Sequence, residues 1–254
     1  MNDPRGSGED HRQRVIRLKL ARMENRPALT IATGFRALDD ALGTAGLPRG
    51  RIVEIFGPPD CGKTTLALQI AGHSLRRRLS AVWMDAEGTY HPAYAADLGV
   101  PVEELPVIRP DSAESAMSML NELARSAAVD LIVVDSAAAL VPSLEMEAAI
   151  GGQSPGLQAR VLASGLRTLA RFAANGAVST VFLNQARVRK DRSGEESETS
   201  ACGPALKLHA AIRIALHPLG PHETGFRILK NKVAGAFATG RLTHAAGRGF
   251  LESP

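Results

Sequence analysis

From residue 30 onward the chain alternates short, continuous apolar runs with longer stretches in which apolar residues recur every three or four positions. The runs at 51–56 (RIVEIF), 80–85 (SAVWMD), 130–135 (DLIVVD), 178–184 (VSTVFLN), 211–217 (AIRIALH) and 225–233 (GFRILKNKV) predict strands. Helical periodicity falls at 36–42, 64–78, 113–127 and 156–174. Strands apolar on both faces, alternating with helices, predict a mostly parallel sheet covered on both sides, an α/β fold. The last two runs are joined by the short turn Pro218–Pro221, which predicts an antiparallel end to that sheet. Residues 1–10 are polar and expected to be disordered. His11 to Arg26 reads as an amphipathic helix, with Ile16, Leu20 and Met23 on one face. It carries six positive charges (Arg12, Arg14, Arg17, Lys19, Arg22, Arg26) against Glu24, which suits docking on a protein surface or contact with nucleic acid.

Composition narrows the class. The 254 residues, 44% of them hydrophobic, suffice for one α/β core, here assigned to 30–254 behind a tail of 1–29. The net charge of +4 is compatible with an anionic partner. There are two cysteines, Cys61 and Cys202, and Cys61 falls inside the loop described next; a structural disulfide is not expected, and a reducing cytoplasm fits best. No run approaches the roughly 18 apolar residues of a membrane span, and the N-terminus lacks the apolar centre of a signal peptide.

The chemistry begins at Gly57–Thr65 (GPPDCGKTT), which fits the phosphate-loop pattern G-x-x-x-x-G-K-[ST]. A strand precedes it and a helix follows. Backbone N–H groups of Gly57, Pro58, Pro59, Asp60, Cys61 and Gly62 (the prolines aside) and a positive helix end therefore converge on a nucleoside triphosphate tail. Lys63 reaches its outer phosphates, and the Thr64 hydroxyl is a ligand for Mg²⁺. The apolar strand ending at Asp135 supplies a carboxylate for the same metal. Asp85-Ala86-Glu87 ends a neighbouring strand, with Glu87 placed to activate water, or with Asp85 and Glu87 both capping the following turn. A further strand ends in Asn184-Gln185, an amide that senses the terminal phosphate or caps the strand.

These segments, together with TGFRALDDALGTAGLPRGRIVEIFGP, MDAEGTYHPAYAADLGV, VDLIVVDSAAALVP, GLQARVLASGLRTLA, FLNQ, GPALKLHAAIR and LKNKVAGAF, follow in the order and spacing of the bacterial RecA recombinases. The chain resembles that family over about residues 30–250. The resemblance implies a RecA-type ATPase that binds ATP and Mg²⁺ between the subunits of a homo-oligomer or filament. By position it implies that Lys63 and Thr64 hold phosphate and metal, beside Thr65, that Glu87 is the catalytic glutamate, and that Tyr94 stacks on adenine. It further implies that Asp135 is the metal-side aspartate, that Gln185 is the γ-phosphate sensor, and that Lys230 and Lys232 reach ATP on a neighbouring subunit. Read without it, Lys230 and Lys232 are one exposed face of an antiparallel strand.

Two loops implied to bind single-stranded DNA correspond to 145–156 and 187–203, flanked or lined by Arg160, Arg167, Arg187, Arg189, Lys190, Arg192 and Lys207. The sequence also departs from the family. Pro155 and Lys190 replace apolar wedges, and Asp191, Glu195, Glu196 and Glu198 offset the basic residues of the second loop. His91 stands where an acid near adenine is usual, which implies a relaxed choice of base, and Cys61 replaces a serine as a near-isosteric swap. The chain ends just after the core, where the family continues into a small DNA-gathering domain. Two readings follow: an ATP-dependent, DNA-associated protein of recombination, repair or the damage (SOS) response, or an ImuA-like accessory relative acting through a recombinase or translesion polymerase partner.

Overall fold

The computed structural model describes residues 30–148, 156–190, 196–245 and 247–251. The N-terminal tail and its basic helix lie outside these residues. A two-stranded ladder, β1 (Thr30–Ile31) with β2 (Leu47–Pro48), flanks α1 (Arg36–Leu42). The main sheet is built from β3 (Ile52–Gly57), β4 (Ala81–Asp85), β5 (Val107–Ile108), β6 (Leu131–Asp135), β7 (Ser179–Lys190), β9 (Ile212–Gly220), β10 (Glu223–Asn231), β11 (Thr239–Ala245) and β12 (Gly249–Phe250). Its order is β12-β11-β10-β9-β3-β7-β6-β4-β5, with β8 (Glu196–Ser200) pairing only with β7. Strands from β9 across to β5 are parallel, and β9 to β12 are antiparallel. This is the α/β fold that the apolar runs predict, antiparallel end included.

Period-two alternation assigns strand residues to two buried layers. Val53, Ile55, Trp83, Val133, Val181 and Leu183 face one side, where they pack on α1 and α2 (Lys63–Arg76). Ile52, Met84, Ile132, Val134 and Phe182 face the other, under α4 (Ala113–Ser126), α6 (Leu157–Gly176) and α7 (Pro204–His209). The short helices α3 (Pro92–Asp97) and α5 (Ser143–Glu147) complete the set. The Ser112 side chain caps α4 by accepting from the Ser115 N–H at 3.1 Å. α4 and α6 meet closely because residue 165 is glycine: an added Cβ would stand 2.7 Å from Cβ of Met117.

Two expectations change. The second loop, 187–203, is in large part a hairpin, with Arg187 paired to Thr199 and Lys190 to Glu196. The strand read as 178–184 simply continues, because a polar ribbon beyond the sheet edge still satisfies its backbone by pairing with β8. The first loop begins inside α5, which spans Ser143–Glu147, while Pro155 lies outside the described residues, as do Asp191, Arg192 and Glu195. The hairpin β11–β12 was not foreseen. Among its strand residues only Leu242 and Phe250 are buried, too sparse a pattern to announce a strand.

Candidate functional site

The C-terminal ends of four adjacent parallel strands form one edge. Gly57 at the end of β3 pairs with Gln185 on β7, and Asp135 at the end of β6 pairs with Asp85 on β4. At about 4.8 Å per strand this row spans roughly 14 Å. The loop 57–62 leaves β3 and returns as the N-terminus of α2. Asp60 and Gly62 both hold positive φ, 58° and 85°, which turns loop N–H groups toward a common concavity. Gly62 is required for a second reason: a Cβ there would lie 2.5 Å from the Phe250 ring. The β11–β12 hairpin thus backs the loop. It is clamped by Gln69, whose amide donates to the Phe250 carbonyl and accepts from its N–H, each at 2.8 Å. Thr224 ties in the same hairpin, with its hydroxyl 3.3 Å from the Cys61 carbonyl and 2.9 Å from Nε2 of His244.

The Lys63 ammonium donates to the carbonyls of Gly57 (3.1 Å) and Pro58 (2.6 Å), folded over the concavity of its own loop. Thr64 Oγ1 donates to Asp135 Oδ2 at 2.8 Å. Burial, with Glu87 and Asp85 nearby, pushes the Asp135 carboxyl up to about 6, against the Thr64 hydrogen bond and Lys63. Glu87 is exposed and accepts a hydrogen bond from the buried Ser136 hydroxyl. Its backbone is held by Glu87 N–H donating to the Asp135 carbonyl at 3.1 Å. Asp85 takes the capping role considered for both acids: it accepts from the N–H groups of Thr89 and Tyr90 and from Arg109 Nε at 3.0 Å. Glu87 is left for other work.

Thr65 is linked to Tyr94, hydroxyl to hydroxyl, at 2.7 Å, and the Tyr94 ring is exposed. His91 caps the helix that carries Tyr94: its Nδ1 accepts from the Tyr94 N–H at 3.2 Å, so a neutral ring carries its proton on Nε2. Cys61 is buried and its thiol pushed up by burial, the reverse of a reactive thiolate; the serine-like packing role stands. Cys202 is likewise pushed up to about 12 by burial and then Glu54.

Gln185 is exposed, while Asn184 beside it is buried and fully used. Asn184 Nδ2 donates to Glu54 (2.9 Å) and to the Ala201 carbonyl (3.1 Å), and its Oδ1 accepts from the Gln185 N–H (2.9 Å). Glu54, wholly buried, is paired to Arg213 at 2.5 Å, and Arg213 also donates to Ser200 and lies over the Phe56 ring. This cluster joins the strand entering the phosphate loop to the base of the β7–β8 hairpin. The sequence reading passed it over, although a glutamate inside RIVEIF is the kind of charge that is buried only when paired. Ser136 was also missed, one residue past Asp135.

Lys230, Lys232, Arg160, Arg167 and Lys207 are carried by other elements, β10, the residue after it, α6 and α7. Lys230 donates to the carbonyls of Lys207 (2.5 Å) and Leu208 (3.1 Å) at the end of α7, and Lys232 is exposed nearby. Arg160 and Arg167 are exposed on α6, and Arg187 on β7. Lys207 is not free: it donates to Thr199 in the hairpin. The side chains of Arg189 and Lys190 fall outside the described residues.

Among the described residues no group of three or more His, Cys, Asp or Glu could hold a metal alone. Thr64 and Asp135 do fit Mg²⁺, a hard cation that takes one or two protein oxygens and fills its shell with water and phosphate oxygens.

Residues 11–250 match the family model described as the RecA N-terminal domain. The chain is 43% identical over 243 residues to protein RecA of Thermus thermophilus, covering 92% of this chain and 72% of that protein. It is 41% identical over 232 residues to protein RecA of Ectopseudomonas oleovorans, covering 88% and 67%.

Proposed function

Because the chain belongs to the RecA family, we propose that it is an ATPase of recombination, repair or the damage response that couples ATP at the strand-end edge to single-stranded DNA on its loops. The observation that carries this reading is the 2.8 Å contact between Thr64 and Asp135, with Glu87 held by the adjacent Ser136. Two oxygens for a metal and a carboxylate for water then stand at one end of the phosphate loop.

On this reading Lys63 leaves the carbonyls of Gly57 and Pro58 for phosphate oxygens, a stronger, charge-assisted partner. Thr64 and Asp135 would hold Mg²⁺, which would supply positive charge to neutralise the outer phosphates. Glu87 orients the attacking water and takes its proton, and Ser136 fixes its rotamer. Tyr94, steadied by Thr65, is the platform for adenine. Gln185 faces the terminal phosphate, and its backbone passes that state through Asn184 to Ala201 at the hairpin base. Arg160, Arg167, Arg187, Arg189, Lys190 and Lys207 bind the DNA backbone, giving salt-sensitive, sequence-indifferent affinity. Lys230 and Lys232 serve a neighbouring subunit's ATP.

The test is ATP turnover with and without single-stranded DNA, at low and physiological salt, with Glu87→Gln as the blank. DNA stimulation that fades with salt, and turnover lost in Glu87→Gln while nucleotide still binds, is expected. The accessory reading is favoured by one observation: Lys207 is spent on Thr199 within the hairpin. Nucleotide binding with no response to DNA would select it.

A further inference from the structure

α6 is 20 residues long and carries three arginines and no acidic residue. Its buried residues Leu162, Leu166, Leu169 and Ala173 form one stripe against α4 and α7. At about 100° per residue, Arg160, Arg167 and Arg171 fall within an arc of about 40° on the far side of that stripe. All three are exposed, and none has a side-chain hydrogen bond or ion pair among the described residues. At about 1.5 Å per residue the row is roughly 16 Å long. The His209 imidazole is held below its ordinary value by burial and then by Arg167, Lys232 and Lys230, so these three cations each stand within electrostatic reach of His209 on α7.

We propose that Arg171 extends a phosphate track along the outer face of α6, so that single-stranded nucleic acid runs from Arg160 past Arg167 to the C-terminal half of the helix. The proposal rests on the reading of this chain as a DNA-associated protein and adds a binding residue to it. Three guanidiniums on a rigid line suit a repeated phosphate, which arginine grips bidentately. The exposed positions flanking that arc include Ser164, Thr168 and Ala174, with no aromatic side chain, so the contact is to backbone and not to bases. It also offers no bulky apolar anchor of the kind that carries protein–protein binding, which disfavours an acidic protein as the occupant.

The experiment measures binding of the full chain to labelled oligo(dT) across a salt series. It compares wild type with Arg171→Ala, Arg171→Lys, Arg167→Ala and, as a control on α4, Arg125→Ala. Arg171→Ala is expected to make the log–log salt slope shallower by about 0.7 and to weaken low-salt affinity several-fold, on the order of one lost phosphate contact. Arg171→Lys should keep the slope, and Arg125→Ala should match wild type. An Arg171→Ala slope equal to wild type, with Arg167→Ala weakened, overturns the track and leaves the DNA reading standing. Absence of any salt-dependent binding by wild type overturns both. Competition by poly-glutamate as effective as oligo(dT) at equal charge would reassign the face to an acidic protein and overturn the proposal.

Discussion

At Asp135 the demands of the site oppose those of stability. Its carboxyl is buried between Glu87 and Asp85 and is pushed from 3.8 up to about 6. A raised folded-state value means that the folded protein binds the proton more tightly than the unfolded chain. The stabilisation is therefore complete below about pH 4 and is lost as pH rises through 6, amounting to about 3 kcal/mol above it. Asp135→Asn keeps the shape without the charge. In the nucleotide-free, Mg²⁺-free protein it should raise stability at pH 7.5 by about 1–3 kcal/mol and flatten the loss between pH 4 and 7. Urea melts at several pH values check this; an unchanged profile would mean that Asp135 ionises freely. The same substitution should weaken Mg²⁺-dependent nucleotide binding, since the carboxylate is then gone. Asp135 could be read from the sequence because an apolar strand terminates in it. Ser136 and Arg109 could not, since each matters only through the carboxylate that folding brings to it, Glu87 in one case and Asp85 in the other.

Among the elements, those with a dense apolar signal emerged from the pattern almost residue for residue. The periodicity predicts α1 at 36–42, and it spans Arg36–Leu42; the apolar run predicts β6 at 130–135, and it spans Leu131–Asp135. The hairpins were not legible. β7–β8 is polar and held by backbone pairing, and β11–β12 is anchored by Gln69 and the single ring of Phe250, contacts between residues far apart in sequence. Packing between elements leaves an equally faint trace. Gly165 reads as a helix-weakening residue in the middle of α6, yet a Cβ there would run into the Met117 side chain of α4. Gly165→Ala should gain about 1 kcal/mol in helix propensity and lose more to overpacking, which costs about 1–3 kcal/mol in a filled core. A net loss of stability in denaturant melts is expected. A net gain would show that the Met117 side chain swings clear at no cost and that the glycine is not a packing requirement.

For the whole molecule, the decisive placement is that of Lys230 and Lys232. In register Lys230 pairs with Arg213, and Arg213 with Glu54, three residues before Gly57 on β3. With about 3.3 Å per residue along the strand and about 4.8 Å between strands, Lys230 lies roughly 14 Å from the phosphate loop of its own chain. A lysine side chain falls well short of that, and the Lys230 ammonium is already spent on the carbonyls at the end of α7. If these lysines touch ATP, it is ATP held by another copy, and the contact between copies is heterologous, each subunit offering lysines on one side and a phosphate loop on the other. That geometry makes a complementation test possible. Glu87→Gln and the double variant Lys230→Ala/Lys232→Ala should each lack turnover alone. Mixed in equal amounts under assembling conditions, about a quarter of the interfaces join an intact phosphate-loop edge to intact lysines, and about that share of wild-type turnover should return. Recovery should vanish on dilution to monomer. Turnover no greater than the sum of the two parents, in a mixture shown by sedimentation to co-assemble, would mean that Lys230 and Lys232 act within their own chain or only hold α7 to the sheet.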